Sequence, residues 1–571
     1  MVSNGLIIII LLAFCPFAWS ADIPSAAAPG AVEKSLSQPA IKMPTKLPEI
    51  VVQEKEGQTL RDVGVKFQLK SVTFEGNRVV LTDKLKSLVQ KYIGQTIEVR
   101  TLTEIANMIT AYYESKGYFL SKAYVPPQTI KDGEVLIKIR EGRLGDIIIK
   151  GNNRYNEEGI RNTLKVVRGE GAIRTNDVER ALLLLTDYPG LNVKATFAPG
   201  DLPGTSDMVI DVKEDRFFNV GVDYDNFGSK FISQNRYGAS LNFNNTIAFG
   251  DLFSFRGITG DYGPDKLLYG RAEYVIPLGY SGTRMGINYH YMNYKLVKDL
   301  EILNAGGESR GVGIWLSHPF YRSRNFNWFG EVGFDAKDVE QTLLSQTVGK
   351  DKVRYARIGT TLQWIDALKG SNTIGIRGYQ GLASVLDGMN QSYTDTIRIK
   401  TDVVYTKVEV DFARIQRLPV DLSLLINAFG QFSGNRLPSS EMLSIGGAGT
   451  VRGFAESEFS GDSGYYATAE LRIPIYGLRN FRWFGSGKTV GETLQLAAFY
   501  DCGEVKITDA LASEASRNSI DIQGAGVGLR FTYSPYLRFK VDWAKAIGTQ
   551  KPLDQNDKDS GVWYIQAALS Y

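Results

Sequence analysis

From about Arg216 to Tyr571 the chain keeps returning to segments of roughly ten residues in which apolar and polar side chains alternate. Leu537, Phe539, Val541 and Trp543 interleave with Arg538, Lys540 and Asp542, and Tyr465, Ala467, Ala469, Leu471 and Ile473 interleave with Tyr466, Thr468, Glu470 and Arg472. Phe218, Val220, Val222 and Tyr224 keep the same period, as do Tyr237, Ala239, Leu241 and Phe243. Successive side chains of a strand point to opposite faces, so each segment has one apolar and one polar face. The polar faces of a soluble sandwich seldom carry so many arginines and glycines, whereas a membrane barrel needs an apolar exterior and a polar lumen. The segments number about sixteen, an even count as single-chain bacterial outer-membrane barrels require. The fold expected is mostly β, an antiparallel transmembrane barrel over 215–571 wide enough to leave an aqueous channel.

Composition narrows the partners. Lys+Arg 65 nearly cancel Asp+Glu 62, so no basic surface argues for nucleic acid. Aromatic residues make up 11% of the chain, with 29 Tyr and 28 Phe, which suits the girdles where a barrel meets the lipid headgroups. No internal apolar run reaches the roughly 18 residues of a membrane-spanning helix.

Residues 1–20 read as a signal peptide: Leu6 to Ala18 is apolar, and Ala18-Trp19-Ser20 before Ala21 has the small-x-small form of a cleavage site. No Lys or Arg precedes the apolar run, a departure from the usual form. Cleavage after Ser20 leaves Cys502 as the one cysteine, so no internal disulfide is expected. Residues 21–65 are broken by Pro24, Pro29, Pro39, Pro44 and Pro48, which leaves about Ala31 to Gln38 for a short helix.

Between leader and barrel one small α/β unit occurs twice, over 66–142 and 143–214. The first copy runs from a strand around Val72 and Phe74 through a Gly76-Asn77 turn to a helix with Leu81, Leu85, Leu88 and Val89 on one side. A second helix carries Leu102, Ile105, Ile109 and Tyr112, with Thr101-x-x-Glu104 predicting a capping box at its start. Strands through Ala123-Tyr124-Val125 and Val135/Ile137/Ile139 follow. The second copy repeats this order from Ile147/Ile149 through Gly151-Asn152 to Val193–Phe197 and Met208/Ile210/Val212.

Within the barrel region a glycine-rich loop around 440–460 holds Val451-Arg452-Gly453-Phe454. An arginine carried inside a membrane barrel is costly unless a carboxylate receives it. Further on, Leu494, Leu496, Ala498, Tyr500 and Cys502 define one face of a strand, which puts Phe499, Asp501 and Gly503 on the other, toward the lumen. The expectation is that the loop folds inward and Arg452 pairs with Asp501, worth about 1 kcal/mol if the lumen is wet.

Signal peptide, two modules, barrel and arginine loop in this order resemble the TpsB transporters of two-partner secretion, which belong to the superfamily of the outer-membrane assembly factor BamA. Gly117-Tyr118, Ala123 through Gln128, Gly133-Glu134-Val135 and Glu141-Gly142 are similar to the family's first polypeptide-transport-associated (POTRA) module. Phe499-x-Asp501-x-Gly503 matches its barrel-wall motif, and the Val-Arg-Gly-Phe run falls after about eleven strands, as in the family. The resemblance implies an outer-membrane pore whose POTRA modules receive an unfolded TpsA-like exoprotein in the periplasm and pass it to the surface without ATP. The implied partners are that exoprotein, outer-membrane lipid, and, during biogenesis, periplasmic chaperones and the barrel-assembly machinery, which reads the C-terminal aromatic Tyr571. In some family members an N-terminal helix plugs the pore. For residues 21–65 a plug helix with linker and a disordered tail both stand as readings.

Two alternatives of related design are a factor that inserts other barrels, which usually carries more POTRA modules, and a passive porin, which needs neither modules nor arginine loop. An outer-membrane hydrolase lacks support, because His290 and His318 are the sole histidines and stand far apart. Gly487-Lys488-Thr489 lacks the first glycine and the βαβ setting of a phosphate loop. No catalytic residue, cofactor or metal is expected, and His290, between Tyr289 and Tyr291, is read as a lumen residue.

Overall fold

The computed structural model describes residues 25–37, 48–52, 66–167, 171–483, 487–533, 536–553 and 560–571. The expected signal peptide lies outside these residues.

Two small α/β modules come first. In the first, helices Thr82–Val89 and Val99–Ser115 cover a sheet built from Ser71–Glu75, Glu134–Arg140 and Lys122–Tyr124. In the second, helices Glu157–Thr163 and Thr175–Thr186 cover Arg143–Lys150, Thr205–Glu214 and Leu191–Pro199. Their shared turn chemistry shows the repeat at atomic level. Gly76 and Gly151 take φ of +92° and +82°, and a Cβ on either would overlap the carbonyl of a neighbouring strand, at Ile139 or Val212. The asparagine side chain of each turn donates three residues on, Asn77 to the Val80 carbonyl at 2.9 Å and Asn152 to the Tyr155 carbonyl at 3.0 Å. A glutamate closes each turn, Glu141 accepting from the Arg78 and Val79 amides and Glu214 from those of Asn153 to Tyr155.

Local expectations in the first module need two corrections. Leu81 is 76% exposed, because it precedes the helix in an extended conformation and points away from the core. The Thr101-x-x-Glu104 capping box is absent: the helix begins at Val99, two residues earlier, with Glu98 in the cap position and no side-chain cap bond.

Sixteen antiparallel strands, from Phe218–Asp225 to Val562–Ser570, close into one barrel. Closure pairs Gly221–Asp225 with Gln566–Ser570, and the Tyr571 and Val220 backbones exchange bonds of 2.8 and 3.1 Å. Tyr571 also lies under the Arg216 guanidinium, 3.7 Å from its ring centre. The alternation sorts as the period demands: Val220, Val222, Tyr289, Ile314, Ile358, Trp563 and Leu569 are exposed on the outer wall, while pairs such as Arg256–Asp223 and Arg377–Asp411 face the lumen.

The second module is fastened beneath the barrel. Asp187, just past helix Thr175–Thr186, receives a two-pronged contact from Arg322 at 2.8 and 3.0 Å, and Glu179 pairs with Arg324 at 3.1 Å. Phe249, in the first turn on that side, inserts between Tyr155 and Tyr188 with ring centres 5.3 and 4.9 Å away. Gly159 leaves room for its ring.

The expected aqueous channel is substantially filled. Residues 434–462 fold inward as a loop carrying the short hairpin Leu443–Ile445/Phe459–Gly461, and the helix Pro29–Ser37 lies beside it inside the barrel. That helix starts earlier than the proline spacing predicts. Pro29 occupies its first turn, where a missing N–H costs nothing.

Candidate gating site inside the barrel

Backbone geometry delivers the arginine to the wall. Thr450 Oγ1 accepts from the Gly446 amide at 2.8 Å and donates to its carbonyl at 2.9 Å, tightening the loop just before Val451. Gly453 has φ +98°, and a Cβ there would overlap the strand Leu537–Ile547 at Lys545 and Ala546. Tyr564 then clasps the turn, accepting from the Gly453 amide at 3.0 Å and donating to the Phe454 carbonyl at 2.8 Å.

Arg452 and Asp501 are brought together. The guanidinium donates from Nε and Nη2 to the two carboxylate oxygens at 2.7 and 2.9 Å, and the Arg452 amide adds a third bond at 3.1 Å. Phe499, two residues back on the same face, lies under the guanidinium with its ring centre 3.3 Å from Cζ. Gly503, two residues on, provides clearance: a Cβ there would stand 3.2 Å from Val451 Cγ2 and 2.9 Å from the Tyr465 carbonyl. Val451 and Phe454 are fully buried with Leu443, Ile445, Phe459, Val505 and Ile522. Each residue of the two motifs therefore has a separate task in seating one loop.

The pair is dry. Arg452 retains 4% side-chain exposure and Asp501 none, so the wet-lumen figure of about 1 kcal/mol gives way to the buried regime, where losing one partner costs about 3–5 kcal/mol. Five further charges complete the seat. Arg452 Nη1 reaches Asp542 at 3.0 Å and Glu470 at 3.4 Å, and Arg530 bridges the same two acids at 2.5 and 2.6 Å. Arg472 joins Glu470 at 2.8 Å and Lys540 joins Asp542 at 3.3 Å. Burial works against the Arg452 charge, but the hydrogen bond and field of Asp501, followed by Asp542 and Glu470, outweigh it and raise the pKa. The sequence put Glu470, Lys540 and Asp542 on polar faces, yet nothing local signalled that these strands meet at one height.

Helix Pro29–Ser37 forms a second cluster. Glu33 accepts from Ser309 at 2.8 Å and lies 3.3 Å from His290 Nε2, which places His290 on the lumen face as its neighbours suggested. Lys337 stands between Glu33 at 3.8 Å and Glu441 of the inward loop at 2.8 Å, and Lys407 takes the other Glu441 oxygen at 2.8 Å. Lys34 donates to the Met442 carbonyl at 2.6 Å, and Ser25 to those of Ser457 and Glu458 at 3.0 and 2.5 Å. Helix segment and loop thus hold each other as well as the wall.

Charge states make this docking pH-dependent. Burial raises the Glu33 pKa, but Lys337 and bonds from His290 and Ser309 overcome this and hold it at about 2. Its ionised contacts are complete above about 4.5 and are lost as pH falls toward about 2. Lys34 is pushed down to about 7 by burial and by Lys407, so docking releases a proton and weakens as pH falls from about 10.5 to about 7. Single-channel recordings should therefore show least conductance near the alkaline end, a rise toward neutrality, a plateau, and a second rise in acid. Lys34→Met should erase the alkaline limb and Glu33→Gln the acid one; an alkaline limb that survives Lys34→Met contradicts the assignment.

Among the described residues no helix is long and apolar enough to cross a membrane, and no cluster of His, Cys, Asp and Glu could hold a metal. His318 bonds Thr283 at 2.8 Å in a turn on the module side, and Thr489 caps the short helix Val490–Thr493.

A closed barrel of sixteen strands with modules docked at one mouth and an arginine-tipped loop seated on its inner wall defines an outer-membrane secretion channel. The chain belongs to the family described as haemolysin secretion/activation protein ShlB/FhaC/HecB, whose profile matches residues 204–531, and residues 67–142 match the ShlB-type POTRA domain. It is 26% identical over 506 residues to the heme/hemopexin transporter protein HuxB of Haemophilus influenzae, covering 86% of this chain and 85% of that protein. To the outer membrane transporter CdiB of Dickeya dadantii it is 24% identical, over 72% and 74% of the two chains. CdiB from Escherichia coli shares the fold with a TM-score of 0.68 at 20% identity, over 95% of each chain. BamA from Haemophilus ducreyi lacking POTRA domains 1–3 does so at 0.52 and 16% identity, over 88% of this chain and all of that one. The protein is a transporter of the outer membrane with its POTRA modules in the periplasm, and it works with a secreted exoprotein.

Proposed function

We propose that this chain exports one large exoprotein in extended form, receiving it at the POTRA modules and passing it through the barrel once the inward helix and loop have made way. The observation that carries this reading is the seating of the second module directly under the barrel through Asp187–Arg322 and the Phe249 cluster, which aims a receiving surface at the pore mouth. A passive porin has no use for that arrangement. The Arg452 seat serves as the loop's anchor, Val451–Phe454 and Phe499, Asp501 and Gly503 acting together in gating, while Tyr571 marks the C-terminal strand for the barrel-assembly machinery and periplasmic chaperones. The helix Pro29–Ser37 is the resting plug. Residues 66–142 and 143–214 act as the two receiving units, after a cleaved leader and an N-terminal plug segment.

Direction needs no nucleotide. A client domain that folds outside gains about 5–15 kcal/mol, which makes return unfavourable. The relatives' names point to haem acquisition and to other exported cargo; the class of this client follows from experiment. Removing residues 66–214 in the host should abolish release of one large secreted protein while leaving an ion-conducting barrel. A deletion that leaves the secreted proteins unchanged argues for the porin, and one that depletes other barrels from the outer membrane argues for the assembly factor.

A further inference from the structure

At the periplasmic rim the turns 245–251, 278–283, 323–325, 366–370, 418–422 and 534–536 take three to seven residues, but the connection from Ser463–Pro474 to Leu494–Lys506 takes nineteen, 475–493. Outer-membrane barrels keep their periplasmic turns short, so the extra length needs a use. Gly487-Lys488-Thr489, which lacks the setting of a phosphate loop, lies within it. We infer that this excursion is a foot that binds the anionic phospholipid headgroups of the periplasmic leaflet, with Arg479, Arg482 and Lys488 supplying the charge and Tyr476, Leu478, Phe481 and Trp483 the interfacial anchor.

The excursion is folded on itself. The Leu478 and Phe481 amides donate to the Ile475 and Leu478 carbonyls at 3.0 and 2.9 Å. Its two limbs are joined by bonds from the Val490 amide to the Phe481 carbonyl at 2.8 Å, from Gly491 to Arg479 at 3.1 Å and from Trp483 to Lys488 at 3.3 Å. Thr489 and Glu492 cap the short helix Val490–Thr493 reciprocally, and Trp483 Nε1 donates to Thr493 Oγ1 at 2.7 Å. A surface ordered in advance spends less entropy on binding.

Its contacts put it against the lipid side of the wall. Arg530 faces the lumen, so by period two Phe531 and Tyr533 face outward. Trp483 stands edge-on to Phe531 with ring centres 5.8 Å apart, and the Lys488 ammonium lies 5.1 Å from the Tyr533 ring centre. Every residue from Tyr476 to Trp483 is exposed, Leu478 by 50% and Phe481 by 62%. Such a run in water invites aggregation, but at headgroup level it continues the barrel's lipid-facing surface as an aromatic anchor. Charge then selects the lipid. Within 475–493 three basic side chains stand against one acid, Glu492, which accepts from the Thr489 amide and hydroxyl at 2.6 and 3.1 Å. Arg479 also reaches Asp421 of the neighbouring turn at 3.4 Å, but with exposures of 43% and 77% that pair contributes little. A guanidinium offers a phosphodiester two parallel donors, and a net negative headgroup gains from each nearby cation where a zwitterionic one already carries its own. The second module bears on the turns around Arg284 and Arg322, so the foot braces a separate arc of the rim.

The test places the full chain in nanodiscs of phosphatidylethanolamine with a minor share of phosphatidylglycerol. A fluorophore on Asn480→Cys, in a Cys502→Ser background, reports the foot with all three basic residues in place. Phosphatidylglycerol bearing a nitroxide high on one acyl chain should be enriched around the label about tenfold over phosphatidylethanolamine bearing the same nitroxide, and iodide in the buffer should quench weakly. Adding Arg479→Gln/Arg482→Gln/Lys488→Gln should bring the two lipids within about twofold of each other, and about 0.5 M salt should act in the same direction. Equal quenching by the two lipids, or a preference that survives the triple change, overturns the proposal. Strong quenching by iodide overturns it too, since the foot would then stand in water, and shielding from both iodide and lipid would mean that protein covers it. Inorganic phosphate that abolishes the preference at matched ionic strength assigns the site to a soluble anion instead. If the triple variant fails to insert, the labelled protein with its basic residues intact still decides between the two lipids.

Discussion

Arg452→Ala is expected to unseat the inward loop, with a cost of about 3–5 kcal/mol and secretion lowered by more than tenfold, while the barrel still inserts. The size follows from what remains. Arg530 and Lys540 continue to hold Asp542, and Arg472 and Arg530 continue to hold Glu470, so the group left alone is Asp501, whose side chain has no exposure and whose described partner is Arg452. Arg452→Lys retains the charge but loses the fork to Asp501 and the flat contact with Phe499, and should fall between wild type and alanine. Adding Asp501→Asn to Arg452→Ala should recover part of the loss, because it removes the buried charge that makes the single change costly. A full swap of the two charges should recover less, since a carboxylate at 452 would face Asp542 and Glu470. Protease sensitivity of the loop on intact cells and client release should move together. An Arg452→Ala protein that secretes normally with a protected loop would falsify the anchor.

The part of this seat visible in the sequence had a local signature. Period two around Asp501 fixes which face it takes, and the neighbouring Phe499 and Gly503 share that face by the same rule. The barrel itself was legible on the same ground, and the paired modules were legible because Gly76-Asn77 and Gly151-Asn152 each need a backbone conformation that glycine adopts freely. Convergence was not legible. Glu470, Arg530, Asp542 and Tyr564 belong to different strands, and only the register set by barrel closure brings them to one height. The wet lumen assumed for the pair failed for the same reason, since the residues that exclude water come from the loop hairpin and from several strands.

The N-terminal segment was harder for a different reason. Glu49–Val52 is four residues long, too short to display alternation, and its strand character comes from an edge nearly 150 residues away. Pro29 looked like a breaker because the sequence does not reveal that the helix begins there. Glu33 and Lys34 would read as solvated charges on an isolated helix, and their partners Ser309, His290, Lys337 and Met442 lie far along the chain.

Those partners set the expected result of removing the helix. Deleting residues 25–37 should raise single-channel conductance several-fold and leave barrel stability nearly unchanged, because the ladder of sixteen strands does not pass through the helix. Glu33→Gln tests the ionic part alone. It weakens the charge-assisted contacts with His290, Ser309 and Lys337, a loss of about 1.5–3 kcal/mol, or about 10- to 100-fold in the ratio of occupied to vacated lumen. Lys337 is not stranded by this change, since Glu441 still holds it at 2.8 Å, so no compensating penalty to the wall should obscure the effect. Apolar contacts of Ala27, Val32 and Leu36 with Ile232, Leu267, Tyr269 and Met292 remain, so the variant should flicker between two conductance levels where the deletion shows only the higher. Combining the deletion with Arg452→Ala should open the lumen further than either change, because helix and loop occupy adjacent space, and the Arg452 seat holds the loop apart from the Lys337 cluster that contacts the helix through Glu33 and the loop through Glu441. Equal conductance for the deletion and wild type would mean that the loop, and not the helix, closes the channel.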